Sequence, residues 1–226
     1  MGEPFAGSHV SWTAPATAAS GDVVVVKLQF PHDECEHEAD ALRRWDGNGA
    51  VQLLGHDAAD HALLLERGQP GTDLWDQPVD DALATIVGLL RQTTVAAGDS
   101  SITRLAEAAT GWARQVPVQW AAAGRPFERR ILDAVVDLLT DLRGSETTEA
   151  VLVNQDLHGG NVVRAERQPW LVIDPKPLVG DVAFAAASVV RSKGFGHNRA
   201  EVLRRGRGDR GARRHRPLAA RPLIGG

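Results

Sequence analysis

Apolar residues change their spacing along the chain, and the change divides it into two parts. Up to about residue 65 they occur in short runs bounded by glycine, serine and proline, which is typical of strands. Residues 23–28 (VVVVKL) give the strongest strand signal because β-branched side chains favour extended backbone, and residues 62–65 (ALLL) give a second one. Between them, residues 33–45 predict one helix, since apolar residues recur there every three or four positions.

Beyond about residue 80 the apolar residues recur at helical spacing over longer stretches. This pattern predicts four helices, over residues 80–90, 102–115, 127–143 and 182–191. Three tryptophans are expected to pack in the core of the second part because large aromatic side chains are usually buried: Trp75, which lies just before its first helix, Trp112 and Trp120. The chain is therefore expected to be an α+β protein, with strands and one helix first and a mainly helical part afterwards.

One stretch interrupts the helical pattern and carries the candidate chemistry. Residues 151–153 (VLV) and 170–173 (WLVI) read as two short buried strands, with a polar turn after the first strand and an acid directly after the second. Strands hold polar groups in fixed positions, and carboxylate and amide oxygens bind hard cations or accept protons. The polar groups of interest are Asp156, Asn161 and Asp174.

Aspartate, asparagine and glycine are also ordinary turn formers, so the spacing D-x-x-x-x-N alone occurs by chance. The following strand and its terminal Asp174 favour a functional interpretation. This order matches the catalytic arrangement of kinases, in which one Asp orients the attacking hydroxyl group. The Asn and the second Asp of that arrangement hold magnesium against the nucleotide phosphates.

The segments NQDLHGGN and IDPKP resemble the aminoglycoside phosphotransferases, in particular the streptomycin 6-kinase and hydroxyurea phosphotransferase branch. The resemblance implies a two-lobed protein-kinase-like fold, with a small antiparallel β lobe containing one helix and a larger, mainly helical lobe. It also implies ATP and Mg²⁺ as cofactors. Three positions depart from the family pattern. Asn154 stands where many relatives have His, Pro175-Lys176 replaces Phe-Gly, and Ala185 replaces a bracing Asp for which Asp181 is a possible substitute.

The resemblance assigns roles to individual residues. Asp156 is the expected catalytic residue, while Asn161 and Asp174 are the expected metal ligands. Lys27 is expected to contact the nucleotide phosphates, held by a glutamate of the following helix. Glu38 is the first choice for that glutamate and Glu34 the second.

Two further nucleotide contacts follow from the resemblance. A phosphate-covering loop is expected around residues 5–8, with Gly7 and Ser8 as binding residues. The hinge between the lobes is expected at residues 65–68, with Leu65 and Arg67 beside the adenine. His158 is expected to form a supporting hydrogen bond.

Composition limits the remaining possibilities. The chain has 226 residues, of which 43% are hydrophobic and 24% charged, as in soluble globular proteins. Its single cysteine, Cys35, excludes an intramolecular disulfide and is consistent with the reducing cytoplasm. No apolar run approaches a membrane span, and no signal peptide is recognisable.

The net charge is −4, but basic and acidic residues are unevenly distributed along the chain. From Arg191 onward there are 11 Lys and Arg against 2 Asp and Glu, whereas the first 190 residues have 14 against 27. An acidic body attracts a cationic ligand and repels nucleic acid, so we expect no nucleic-acid partner. Because no apolar run approaches a membrane span, we also expect no membrane partner. A plain acidic surface that serves solubility explains the same charge.

The expected domains are a nucleotide-binding lobe over residues 1–72, a helical lobe with the catalytic loop over 73–205, and a disordered Arg/Gly-rich tail over 206–226. Both ends of the kinase-like fold are expected to be truncated. The tail is either a genuine basic segment or the product of a shifted reading frame.

The expected function is ATP-dependent O-phosphorylation of a small-molecule antibiotic, either a streptomycin-type aminoglycoside or hydroxyurea, which confers resistance. An incomplete kinase that binds nucleotide but lacks a full substrate pocket is the alternative. A nucleic-acid-associated protein that uses the basic tail is the third hypothesis, and the acidic body opposes it.

Overall fold

The first part of the protein is a four-stranded antiparallel sheet. The computed structural model describes residues 1–5, 10–144 and 150–191. Strands run in the order β1-β2-β4-β3, with bounds β1 (Ser11–Thr17), β2 (Val23–Gln29), β3 (Leu53–Asp57) and β4 (Ala62–Glu66). The valine run forms β2, which pairs with β1 on one side and β4 on the other. Its β-branched residues therefore occupy an inner strand, where such side chains pack well.

The helix of this part, α1, spans Glu38–Trp45, so the predicted start at residue 33 was wrong. Residues 33–37 form turns instead. The His32 ring accepts a hydrogen bond from the Glu34 backbone N at 3.3 Å, and its Nε2 lies 2.6 Å from the Cys35 Sγ. Local bonds of this kind between side chains and backbone compete with helical ones, which explains the later start.

Four longer helices follow: α2 (Val79–Thr93), α3 (Leu105–Ala122), α4 (Arg129–Gly144) and α5 (Val182–Arg191). The prediction for α3 was wrong by three residues at its start and by seven at its end, and the prediction for α4 was wrong by two residues at its start. Helix α3 also continues past Pro117, which lies inside its last turns. The chain between α4 and α5 forms two antiparallel strand pairs, β5 (Val151–Asn154) with β8 (Pro177–Gly180) and β6 (Val162–Arg164) with β7 (Trp170–Val172).

A single hydrophobic core extends through both parts. It includes Leu42 and Leu63 from the first part together with Ile86, Leu152 and Leu171 from the second, all at most 1% exposed. Burial of such side chains is the main favourable term in folding, and here it also connects the sheet to the helices.

Trp112 and Trp120, two of the three tryptophans predicted to lie in the core, differ in what they pack against. Trp112 packs against the core and stacks on Phe184, with ring centroids 5.8 Å apart. Trp120 is half-buried outside the core cluster. Its Nε1 donates to the Phe127 carbonyl at 3.0 Å, and the Arg125 guanidinium lies 5.6 Å from its ring centroid. Trp120 therefore closes the turn between α3 and α4 rather than filling the core.

The strand pair β6–β7 joins the two parts through backbone bonds. Val51 N donates to Val172 O at 3.0 Å, and Val172 N donates to Gly49 O at 2.9 Å. On the other strand, Arg164 N donates to Thr72 O at 2.8 Å. This pairing holds the helical part against the sheet along one edge. The domain boundary between residues 72 and 73 stays a prediction.

Two predicted segments fall outside the described residues. They are the loop positions Gly7 and Ser8 and the tail over residues 206–226. Before the loop, residues 2–5 run along β1, with Phe5 N donating to Thr13 O at 2.9 Å. Within the described ranges, every helix is too short or too polar to cross a membrane.

Candidate active site

Lys27 forms the centre of a buried charged cluster. It lies in β2 and is 4% exposed. Its Nζ donates to Glu38 Oε2 at 2.6 Å and to Asp174 Oδ1 at 2.5 Å. Gln29 Nε2 donates to the same Glu38 oxygen at 2.6 Å. Three distant segments, β2, α1 and the end of β7, therefore meet at one ammonium group, as expected from the sequence.

Burial and charge oppose each other in this cluster. Burial alone would lower the pKa of Lys27, but the carboxylates of Glu38 and Asp174 outweigh it and raise that pKa, so the ammonium stays charged. For Glu38, burial is the stronger influence and raises its pKa despite Lys27. Glu38 Oε1 is buried without a hydrogen-bond partner among the described residues. The arrangement is thus costly and not optimised for stability alone.

Asp174 has a backbone conformation that side-chain-bearing residues rarely adopt. Its φ is 48°, in the left-handed region, which costs about 1–2 kcal/mol for such a residue. Strain of this kind persists where the surrounding structure enforces it and is frequent at functional sites. It directs the Asp174 carboxylate, which is 42% exposed, toward Lys27.

Asp156 and Asn161 lie on the loop that follows β5. Asn161 Nδ2 donates to the Asp156 carbonyl at 3.1 Å and to its carboxylate Oδ2 at 3.4 Å. The Asn161 backbone carbonyl accepts from Ile173 N at 2.9 Å. Because Ile173 precedes Asp174, this bond places the two predicted metal ligands on adjoining backbone.

Asn154, which stands where many relatives have His, is only 2% exposed. Its Oδ1 accepts from the backbone N of Asp156 at 3.0 Å and from the backbone N of Lys176 at 3.1 Å. Its Nδ2 is buried without a partner in the described part of the chain. One amide side chain therefore connects the loop carrying Asp156 to the segment that follows Asp174.

The two glycines of the loop make room for Trp75. A Cβ atom at Gly159 would lie 2.9 Å from the Trp75 ring, and one at Gly160 would lie 2.7 Å from Trp75 Nε1. Trp75 stacks on His158 with centroids 5.9 Å apart and an interplanar angle of 18°. His158 Nδ1 accepts from Gly160 N at 3.1 Å, and its Nε2 lies 3.7 Å from Asp156 Oδ1. Trp75 thus supports the candidate catalytic loop.

Helix α5 contacts the same loop through Ser188. This serine is 3% exposed, and its Oγ lies within donating distance of the Leu157 carbonyl at 3.1 Å and the Ala185 carbonyl at 2.8 Å. Asp181, the possible substitute for the bracing Asp, accepts from Ala183 N at 2.7 Å at the start of α5. A serine therefore ties α5 to the loop, although the position after Phe184 lacks a carboxylate.

The predicted hinge residues occupy the end of β4 and the chain beyond it. Leu65 is 6% exposed and packs in the core, while Arg67 is half-buried. A Cβ atom at Gly68 would lie 2.9 Å from Val163 Cγ2, so the chain passes close against β6 here. The contact of this segment with adenine stays a prediction.

Sequence reasoning did not identify three residues beside the site: Trp75, Lys176 and Ser188. The glycine pair after His158 was a signal that a bulky group approaches the loop, but it did not identify the group. Glu34, the second choice as partner of Lys27, instead lies 3.0 Å from Lys176 Nζ.

The fold and the site define a two-lobed protein of the protein-kinase-like class. The choline kinase LicA of Streptococcus pneumoniae superposes with a TM-score of 0.60 at 13% identity, covering 90% of this chain and 72% of that one. An aminoglycoside phosphotransferase crystallised with ADP and hygromycin B superposes with a TM-score of 0.55 at 14% identity, covering 82% and 70%. These likenesses confirm the predicted fold.

The sequence itself identifies the family. The model of the aminoglycoside/hydroxyurea antibiotic resistance kinases matches residues 2–214, and the chain belongs to this family. It is 35% identical over 180 residues to the streptomycin 6-kinase of Streptomyces glaucescens, covering 79% of this chain and 58% of that protein. It is 38% identical over 176 residues to the hydroxyurea phosphotransferase of Kitasatospora aureofaciens, covering 75% and 50%. The chain thus spans between half and three fifths of the length of these relatives.

Proposed function

We propose that the protein transfers the γ-phosphoryl group of ATP to a hydroxyl group of a small-molecule antibiotic and thereby confers resistance. Its membership of the antibiotic resistance kinase family supports the reaction class. The relatives named streptomycin 6-kinase and hydroxyurea phosphotransferase supply the two candidate acceptors. We expect the protein to act in the cytoplasm, where ATP is available.

The observation that carries this proposal is the contact of Lys27 with both Glu38 and Asp174. In kinases a lysine held by a helix glutamate binds the nucleotide phosphates, next to the aspartate that binds magnesium. A purely structural ion pair would not require an ammonium group shared by two carboxylates, one of which is 42% exposed. Burying such charges costs desolvation free energy, and proteins retain buried charges of this kind where they act on a ligand.

Each remaining group has a place in phosphoryl transfer. Asp156 orients the acceptor hydroxyl group and accepts its proton, while Asn161 fixes the Asp156 carboxylate from the side. His158 and Trp75 keep the loop in its conformation. We assign backbone groups around Leu65 and Arg67 to the adenine edge, and we assign Gly7 and Ser8, which lie outside the described residues, to the phosphates.

Asn161 and Asp174 fit a magnesium ion, because both offer hard oxygen ligands and adjoin through the backbone bond between Ile173 and Asn161. The partly exposed Asp174 carboxylate is accessible to a ligand from the cleft. When bound, the metal supplies positive charge to the phosphate oxygens.

Charge favours streptomycin over hydroxyurea as the acceptor. The first 190 residues have 14 Lys and Arg against 27 Asp and Glu, and such an acidic body attracts a polycation. Hydroxyurea is neutral and gains nothing from this field.

The proposal is tested by measuring phosphorylation of streptomycin and hydroxyurea with MgATP in the wild type and in Asp156→Asn. We expect Asp156→Asn to lower turnover by about 10²–10⁴-fold, because it removes the proton acceptor, and to leave MgATP affinity unchanged. Asp174→Asn should weaken MgATP binding as well, because it removes a charged ligand. Asp133→Asn on the exposed surface of α4 is the matched control and should behave as the wild type.

Full turnover in Asp156→Asn would contradict the kinase mechanism. Equal losses of nucleotide affinity in the two site variants would contradict the division of roles. A wild type that binds MgATP but phosphorylates neither compound would instead support nucleotide binding without a complete acceptor pocket.

A further inference from the structure

Lys176 occupies a position that none of the roles above explains. It follows Asp174 and Pro175, and its side chain is 24% exposed. Its Nζ lies 3.3 Å from Asp156 Oδ2 and 3.0 Å from Glu34 Oε2. Glu34 belongs to the turns before α1, in the sheet part of the molecule. The ammonium group therefore connects a turn in the first part of the protein to the candidate catalytic carboxylate.

The backbone of Lys176 is fixed relative to Asp156. Asn154 Oδ1 accepts from the backbone N of both residues, at 3.1 and 3.0 Å. Gln155 N donates to the Lys176 carbonyl at 3.0 Å. Prolines on both sides of Lys176 restrict the backbone further. The distance between ammonium and carboxylate thus results from a built arrangement and not from two mobile surface chains.

The charge of Lys176 is maintained by its partners. Lysine is a cation at neutral pH, and the carboxylate oxygens of Glu34 and Asp156 lie 3.0 and 3.3 Å from its Nζ, so the ammonium group is matched by two anionic partners.

An anionic phosphoryl group that approaches Asp156 meets a carboxylate of the same charge. Repulsion of this kind raises the barrier unless a cation lies between or beside the two groups. Lys176 already contacts the Oδ2 atom of Asp156, as does Asn161, on the loop where transfer is expected. Its ammonium is thus placed to offset the charge of the carboxylate and to hold its orientation.

We propose that Lys176 is a positioning residue for phosphoryl transfer, which holds the Asp156 carboxylate and offsets its charge while Glu34, from the sheet part of the molecule, anchors the ammonium group. This inference rests on the proposed function. It assigns Lys176 to the transfer step and not to nucleotide binding, which separates it from Lys27.

The test compares Lys176→Met, Lys176→Arg and Glu34→Gln with the wild type in steady-state phosphorylation of streptomycin and hydroxyurea. We expect Lys176→Met to lower kcat about 10–100-fold and to leave the KM for MgATP within about twofold. Lys176→Arg restores the charge and should recover kcat to within about fivefold of the wild type. Glu34→Gln removes only the exposed anchor, so its loss of kcat should be about two- to fivefold.

A surface control and a folding control accompany these variants. Arg43 pairs with Asp40 on the surface of α1, away from the proposed machinery, so Arg43→Met should retain wild-type kinetics. Thermal unfolding shows whether each variant is folded. Lys176→Gln replaces Lys176→Met if the latter does not fold, because it keeps a polar chain without the charge. A purely structural role for Lys176 would lower the unfolding midpoint and leave kcat unchanged.

The outcomes separate the inference from the function on which it rests. No turnover by the wild type overturns the proposed function and the inference with it. Turnover by the wild type together with undiminished kcat in Lys176→Met or Lys176→Gln overturns the inference alone. A loss expressed in the KM for MgATP, with kcat intact, also overturns it, because that result would assign Lys176 to the nucleotide.

Discussion

Two buried or half-buried glutamates connect the sheet to the rest of the molecule, and they do so in opposite ways. Glu66, at the end of β4, accepts two hydrogen bonds from Arg167 at 2.8 Å and one from Gln52 N at 2.9 Å. Glu38, in α1, contacts Lys27 and Gln29 through one oxygen only. Its other oxygen has no partner among the described residues.

The pKa values of the two glutamates shift in opposite directions. Burial raises both, but for Glu66 the hydrogen bonds from Arg167 and the Gln52 backbone outweigh it, so its pKa is lowered. For Glu38 burial prevails and its pKa is raised. The ionised Glu66–Arg167 pair therefore stabilises the folded state, whereas ionisation of the buried Glu38 carboxylate destabilises it. The second arrangement does not serve stability, and it is what we expect of a cluster that binds a ligand.

The largest effect is expected from Lys27→Met, which removes the only cation of the Lys27–Glu38–Asp174 contact. Turnover should fall by at least about 10²-fold, since the phosphates lose their ammonium contact. The free energy of unfolding should fall by about 3–5 kcal/mol because Glu38 becomes an unpaired buried charge. Coupled turnover assays and urea unfolding measure the two effects.

The double variant Lys27→Met, Glu38→Met separates stability from function. Replacing both charges with apolar side chains should restore the unfolding free energy to the wild-type value or above it by about 1–4 kcal/mol. Turnover should stay lost. A double variant less stable than Lys27→Met would show that the cluster is a stabilising pair, and the contrast with Glu66 would then fail.

The variant Gly160→Ala changes the shape of the candidate catalytic loop without changing the charge of the site. In Gly160→Ala the new methyl group would lie 2.7 Å from Trp75 Nε1 and 3.2 Å from His158 Cε1, so the catalytic loop must shift. Displacement of a reacting group by about 1 Å can cost about 10²-fold, and we expect turnover to fall about 10–100-fold. MgATP affinity, which we assign to the Lys27 cluster, should remain.

Gly88→Ala is the matched control for Gly160→Ala. Gly88 lies inside α2, and a Cβ atom there meets no heavy atom within 4 Å. Alanine should stabilise the helix by about 0.5–1 kcal/mol and leave turnover unchanged. Equal activity of the two alanine variants would show that the contact of Trp75 with the loop is not needed for transfer.

The sequence predicted the parts of the site that depend on local pattern. The valine run indicated the strand that carries Lys27, and the two apolar runs around the polar turn indicated the strands that directly precede Asp156 and Asp174. These predictions succeeded because a short buried strand leaves a clear signature of hydrophobic residues. The roles of these side chains in catalysis and metal binding remain predictions.

The local pattern of hydrophobic residues could predict neither the long-range contacts nor the residue at which α1 begins. The choice between Glu34 and Glu38 depends on where α1 begins, and it begins at Glu38, after turns in which the His32 ring contacts Glu34 and Cys35. The contact of Lys176 with Asp156 depends on the turn after Asp174, whose backbone conformation no hydrophobic pattern encodes. Trp75 contacts the loop from a segment more than eighty residues earlier in the chain, so no local pattern could predict this contact.

A smaller effect is expected from Arg167→Met. Arg167 donates to Glu66, to the Gly47 carbonyl at 2.7 Å and to the Ala50 carbonyl at 2.8 Å, so it connects β4 and the loop before β3 to the β6–β7 turn. Loss of these bonds should lower the unfolding free energy by about 1–3 kcal/mol. Turnover at a temperature well below unfolding should stay within about twofold of the wild type, because the group touches no proposed site residue. A large loss of turnover would contradict the division between the two clusters.

The smallest expected effect is on how stability depends on pH, and it tests whether the pKa values of Glu66 and Glu38 shift in opposite directions. The lowered pKa of Glu66 means that its stabilising contribution is fully present above its unfolded value of 4.5 and is lost as the pH falls through its folded pKa. The raised pKa of Glu38 means that the folded state holds this proton more strongly than the unfolded chain, so its ionisation destabilises the fold as the pH rises above 4.5. Unfolding by urea between about pH 3 and pH 7 should therefore show two opposite changes of slope. Glu66→Gln should flatten the loss of stability on the acid side, while Glu38→Gln should remove a loss that develops toward neutral pH. Parallel curves for the two variants would show that both glutamates respond to burial in the same way, and the contrast between a stabilising pair and a functional one would no longer hold.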